Sequence, residues 1–212
     1  MPNQKDLINK IIETQKSLVS NKINERYYEF KSFSSKSEEA WFSELCFCIT
    51  TANCSAESGI KVQQALGFEG FYNLPKQSLA KKLQSLGYRF YNKRAEYICE
   101  ARKHFGIKEK LKSFSSEKEK RLYLVNNVKG FSFKEASHFL RNTGHENLAI
   151  LDRHIIKVLH EYSLLDEIPK TLNEKKYLQI EEILTNFCSK LNLNQSLLDL
   201  YLWYLKTGKV LK

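Results

Sequence analysis

An all-α fold is what this sequence predicts, and three observations carry the reading. Apolar residues recur at three- and four-residue spacings, and no segment alternates with period two for long. Helix-start residues stand ahead of the apolar stripes and glycines stand where the stripes end. The composition, 42% apolar and 12% aromatic in 212 residues with 8 Gly and 3 Pro, excludes disordered, collagen-like and low-complexity chains. The length suits one substantial core or two small lobes.

The elements follow in order. Ser35–Glu38 resembles a capping box, and behind it Trp41, Phe42, Leu45, Cys48, Ile49 and Ala52 form a stripe at helical spacing. Ser55 opens a helix expected to close near Gly67. Pro75 begins one that Leu79, Leu83 and Leu86 continue and Gly87 ends. Asn92 is read as the cap of a helix carrying Ile98, Ala101 and Phe105 inward, with Gly106 as its stop. Ser116 and Glu119 form a capping box ahead of Leu122 and Val125. A short turn, residues 128–132, leads into a helix from Phe133 to about Gly144. Asp152 caps a helix reaching Leu159, a long helix runs from about Asn173 to Leu191, and the last runs from Asn194 to Lys206 with Gly208 as its stop. The count is roughly ten helices.

The formal charge is +10, and it is unevenly placed. Between Lys76 and Lys134 sixteen basic residues face five acidic ones, so that stretch alone carries +11. Tyr88, Phe90, Tyr91, Phe131 and Phe133 are interleaved with it. Basic residues with aromatics are the footprint of nucleic-acid binding, through phosphate attraction and base stacking. A solvated lysine-rich surface gives the same charge signature. No apolar run approaches a membrane span, and the first residues do not read as a signal peptide. The five cysteines are odd in number and form no C-x-x-C pair, which speaks against a disulfide framework, a zinc knuckle or an iron–sulfur loop. Reduced thiols and an intracellular, cytoplasmic location are expected.

The segment that carries chemistry is Val128–Ser137, a tight turn containing Gly130 between two helices. At the start of the second helix, backbone N–H groups and the helix dipole favour an anion, so a DNA phosphate suits the site. Lys134 falls in the first turn of that helix. A cation there is opposed by the dipole and by any desolvation, which favours the neutral, nucleophilic amine. An ordinary phosphate-contacting or solvated lysine is the alternative. Eighteen residues on, Asp152 follows an apolar run at a helix start. It reads as a structural N-cap, as a carboxylate stabilising positive charge on a sugar, or as both. His154 lies in the first turn of that helix, where it either contacts phosphate or is a surface histidine.

Gly130, Lys134 and Asp152 in this arrangement resemble the helix–hairpin–helix DNA glycosylase superfamily. More closely, the chain resembles the short archaeal-type (type 2) 8-oxoguanine DNA glycosylase/AP lyases. The matching blocks are Glu44–Asn53, Leu86–Tyr91, Lys134–Asn142 and Trp203–Lys212, in that order. One departure is Ser132, which stands where that family's turn often has a second glycine. Its N–H survives, provided the backbone there stays out of the left-handed region.

The resemblance implies an all-α, two-lobed helix–hairpin–helix glycosylase fold with the active site in the cleft between lobes. Residues 33–147 would form the lobe carrying the hairpin, and 1–32 with 148–212 the other. It implies a monomer that binds double-stranded DNA containing oxidised guanine, with no cofactor, metal or membrane. Lys134 would be the nucleophile of a Schiff base, with β-elimination cutting the strand, and Asp152 its carboxylate partner. Phe90 and Trp203 would sandwich the flipped base, although core packing at helical spacing also explains Trp203. Lys212 would reach the base, bringing its side chain and a terminal carboxylate. 8-Oxoguanine carries a proton on N7 where guanine offers an acceptor, so an acceptor placed there discriminates strongly. Asn53, Tyr88 and Arg89 match positions that fill the duplex gap or face the orphaned base, and Lys129, Gly130, Ser132 and His154 would contact the DNA backbone. Two rivals are a lyase for oxidised pyrimidines, like endonuclease III, and a helix–hairpin–helix module that only binds DNA.

Overall fold

The computed structural model of the chain describes residues 2–212. Among them the chain forms twelve α-helices and one 3-10 turn, with no strand. The helices are α1 (Gln4–Gln15), α2 (Val19–Phe33), α3 (Glu38–Thr51), α4 (Ala56–Asn73), α5 (Lys76–Ser85), α6 (Tyr91–Ala101), α7 (Ile107–Lys112), α8 (Glu117–Asn127), α9 (Phe133–Asn142), α10 (Arg153–Glu161), α11 (Glu174–Leu191) and α12 (Gln195–Thr207). None of the described helices is long and apolar enough to cross a membrane.

Several ends differ from the sequence expectation, each for a local reason. Ser37, not Ser35, caps α3, and its hydroxyl accepts from the Ala40 N–H. Gly67 does break its helix (φ 55), but the chain resumes helical geometry to Asn73. Phe90 is the residue ahead of α6, so Asn92 lies inside the first turn instead of capping it. That helix stops at Ala101, because residues 102–104 tighten into a 3-10 turn, and left-handed Gly106 (φ 90) then starts α7. Helix α1 has an Asn3–Asp6 capping box, a variant of the usual Ser/Thr-x-x-Glu signature.

The chain clusters into two compact units. One is Phe33–Thr143; the other joins the described residues up to Ser32 with Gly144–Lys212. The second crossing lies at Gly144 (φ 98), just after α9 ends and slightly before the expected residue 147.

In the Phe33–Thr143 unit α3 is the central helix. Leu45, Cys46, Phe47, Cys48 and Ile49 are fully buried, and the helix packs on α4, α6, α7 and α9. Phe139 of α9 meets Trp41 of α3 edge-on at 5.8 Å. The core also contains a polar tie. Glu44 is 1% exposed and accepts from Asn142 Nδ2 (2.6 Å) and Gln63 Nε2 (3.2 Å), so one carboxylate joins α3, α4 and α9. A buried carboxylate tolerates burial only when such donors reach it. In the other unit α12 packs on α1, α10 and α11, with Leu198, Leu200, Tyr201 and Leu202 buried.

Asn142→Ala removes a buried donor to Glu44, and we expect a loss of about 1–3 kcal/mol in urea unfolding.

Candidate active site

Helices α8 and α9 form the hairpin. Val128 leaves α8 in an extended conformation, and the Phe131 N–H closes the turn on the Val128 carbonyl at 3.1 Å. Gly130 sits at φ 90, and a Cβ there would lie 2.6 Å from the Tyr97 ring of α6. Glycine is therefore required twice, by backbone conformation and by space. Ser132 is extended (φ −110, ψ −175), so the serine meets the backbone condition that its position imposes. Its N–H and hydroxyl both donate to Glu135 Oε2, which closes a capping arrangement at the start of α9. The sequence signal for this cap is the Ser132-x-x-Glu135 spacing, which the sequence expectation did not include.

Lys134 occupies the first turn of α9. Its side chain is 23% exposed, and Nζ lies 3.5 Å from Glu135 Oε1. Glu135 thus serves the cap with one oxygen and faces the lysine with the other. Buried Arg121 supports the hairpin from within: Nη1 donates to Ser137 Oγ (3.3 Å), and the guanidinium stacks over Phe133 at 4.8 Å. Arg121 and Arg94 are both buried, and Arg102 donates to the Phe71 and Leu74 carbonyls. Part of the basic stretch is thus structural rather than offered to phosphate.

Lys129, expected to contact DNA, is paired with two carboxylates of α6. Its Nζ donates to Glu100 Oε1 (2.7 Å) and Glu96 Oε1 (2.9 Å), and these two, Glu100 first, keep the ammonium protonated well above the usual lysine range.

Asp152 belongs to the other unit. The apolar run before it, Leu148–Leu151, is buried but not helical, so α11 side chains satisfy its backbone. Tyr177 hydroxyl donates to the Ala149 carbonyl (2.7 Å) and accepts from the Leu151 N–H, while Glu181 accepts from the Ala149 N–H (2.9 Å). The run delivers Asp152 to the start of α10 in an extended conformation (φ −90, ψ 176). There Oδ1 accepts from both the His154 and Ile155 N–H groups at 2.8 Å. Asp152 is therefore an N-cap through one oxygen only, and Oδ2 takes no part in the cap.

Helix α10 also carries His154, whose ring meets Trp203 of α12 edge-on at 5.0 Å. Arg153 Nε donates to His154 Nε2 at 3.3 Å. Trp203 is half-buried, and its indole N–H is buried without a hydrogen-bond partner among the described residues. Beyond left-handed Gly208 (φ 70) the chain leaves α12, and Lys212 ends it half-buried.

In the hairpin unit, α3 ends at Thr51, and Asn53 takes a left-handed conformation (φ 61) at an exposed corner. Three donors from the 88–94 segment secure the carbonyls of that corner. Tyr88 hydroxyl donates to Thr50, Arg94 Nη2 to Ala52 (2.6 Å) and Arg89 Nη2 to Asn53 (3.1 Å). Tyr88 is 2% exposed, and burial pushes its hydroxyl up from the usual tyrosine range. It braces the corner and presents almost no surface, which leaves Asn53 and Arg89 as the exposed residues of the three. Phe90 is 38% exposed, with the Arg89 guanidinium 4.6 Å above its ring. A large, partly open aromatic held by cations is suited to stack on a base.

Comparison with known proteins gives a consistent result. A family model described as 8-oxoguanine DNA glycosylase matches residues 23–193. The 8-oxoguanine DNA glycosylase/AP lyase of Methanocaldococcus jannaschii is 55% identical over 206 residues, covering 97% of this chain and 99% of that one. A crystal structure of the M. jannaschii 8-oxoguanine glycosylase/lyase in complex with a 15mer DNA containing 8-oxoguanine matches with a TM-score of 0.95 and 54% identity, over 97% of this chain and 99% of that chain. The Thermotoga maritima 8-oxoguanine DNA glycosylase structure matches with a TM-score of 0.93 and 42% identity, over 99% of this chain and 100% of that one.

Gly130→Ala meets both the left-handed backbone and the Tyr97 ring. It should lower stability by at least about 2 kcal/mol in thermal unfolding, the scale of a left-handed residue with a packing clash.

Proposed function

This chain belongs to the 8-oxoguanine DNA glycosylase family, and on that footing we propose that it excises 8-oxoguanine from double-stranded DNA and then cleaves the strand as an AP lyase. The observation that carries the reading is the near full-length likeness to 8-oxoguanine DNA glycosylase/AP lyases, together with a lysine in the first turn after the hairpin and an aspartate with one oxygen uncommitted. The hairpin holds the DNA backbone through N–H groups at the α9 start. The damaged nucleotide leaves the stack, since its glycosidic bond is out of reach inside a duplex.

Asp152 Oδ2 faces the sugar as positive charge develops there, while Oδ1 keeps the carboxylate oriented. The Lys134 amine attacks C1′ and the base departs with the glycosidic electron pair; the new C1′–N bond loses a proton, and breaking C1′–O4′ with protonation of O4′ opens the sugar to the Schiff base. Abstraction of a C2′ proton then expels the 3′ phosphate, and water hydrolyses the imine to return the amine. Asp152 also accepts a proton from Lys134. Phe90 and Trp203 supply the aromatic faces for the extruded base, and Lys212 approaches it. Asn53 and Arg89 fill the gap left in the duplex or face the orphaned base. The enzyme acts as a monomer on chromosomal DNA within the cytoplasm and needs no cofactor.

Borohydride trapping on an 8-oxoguanine duplex tests this. Wild type should form a covalent adduct and Lys134→Gln none; the absence of any wild-type adduct would leave only a DNA-binding module. Asp152→Asn keeps the capping oxygen, because Asn caps helices as well as Asp. Its melting temperature should match wild type, while single-turnover excision falls about 100- to 1,000-fold, the scale of removing one preorganised electrostatic group.

A further inference from the structure

We propose that Glu96 and Glu100 mask Lys129, the lysine at the hairpin turn, and so limit how tightly the enzyme grips undamaged DNA. This rests on the hairpin as a DNA contact and not on the chemistry assigned to Lys134.

The geometry is specific. Lys129 immediately precedes Gly130, the residue that shapes the turn. Its Nζ lies 2.7 Å from Glu100 Oε1 and 2.9 Å from Glu96 Oε1, carboxylates one helical turn apart on α6. Lys93 also reaches Glu96, at 3.4 Å, and both lysines lie over the Tyr97 ring, Lys93 at 5.2 Å and Lys129 at 5.7 Å from its centroid. The formal charges of Lys93, Glu96, Glu100 and Lys129 cancel. Between Lys76 and Lys134, where sixteen basic residues face five acidic ones, two of those five converge on this one lysine.

Stability does not explain the arrangement. Exposed ion pairs of this kind contribute little to holding a turn. The turn is already set by Gly130 against Tyr97 and by the Phe131 N–H on Val128. On DNA the same charges matter more, because each cation that meets a phosphate releases counterions and steepens the salt dependence of binding. Masking Lys129 leaves the hairpin to hold the backbone mainly through neutral N–H groups. That suits an enzyme which must release undamaged sites in order to find a rare base.

The test is the affinity of Glu96→Gln/Glu100→Gln for an undamaged duplex across a series of salt concentrations. Near 0.1 M salt the double variant should bind roughly 5- to 10-fold tighter, and log K against log salt should steepen by about 0.9, one additional phosphate contact. Adding Lys129→Gln should remove both changes. Unchanged or weaker binding in the double variant overturns the proposal. So does a gain that survives Lys129→Gln, since the carboxylates would then be repelling phosphate directly. Single-turnover excision of 8-oxoguanine at saturating enzyme is measured in parallel and should be unchanged in the double variant. Failure of wild type in that assay would count against the glycosylase reading and leave the binding comparison intact.

Discussion

Tyr97 lies against Gly130 so closely that no side chain fits between them, and the geometry of the α8–α9 hairpin depends on that contact. It fixes a left-handed residue in the turn, so α8 ends and α9 begins within a few residues. Lys134 consequently falls in the first turn of α9, where backbone N–H groups and the dipole concentrate positive potential. A turn one residue longer would rotate the lysine by about 100° around the helix axis, away from its present face.

Each unit holds a carboxylate whose two oxygens are divided between tasks. Asp152 commits Oδ1 to two backbone N–H groups and leaves Oδ2 open. Glu135 commits Oε2 to Ser132 and turns Oε1 toward Lys134. A carboxylate has two acceptor oxygens, so one can anchor the group while the other acts. Anchoring by the backbone at a helix start is a rigid solution, and rigidity is what electrostatic stabilisation of a developing charge requires. Capping of α10 by Asp152 therefore leaves the second oxygen of the same carboxylate open.

The basic residues divide in a similar way. Arg94, Arg102 and Arg121 act inside the hairpin unit, where their planar donors tie loop carbonyls and a serine hydroxyl to helices. Lys129 is neutralised on the surface. Guanidinium groups suit the interior role because several fixed donors satisfy several carbonyls at once. The net charge of the stretch therefore overstates the number of cations available to phosphate.

The helical class, most helix positions, the hairpin, and the places of Lys134 and Asp152 were legible in the amino-acid sequence, because spacing, caps and glycine stops are local signals. The sequence also holds the Ser132–Glu135 cap as a local Ser-x-x-Glu pattern. It did not determine that Tyr88 is buried, that Glu44 joins three helices, or that Lys129 is paired across to α6. Those facts arise from residues tens of positions apart, such as Tyr88 on the Thr50 carbonyl and Lys129 on Glu96. Only tertiary packing decided them, since burial and charge pairing depend on which faces meet in space, and one-dimensional periodicity records a face without naming its neighbour.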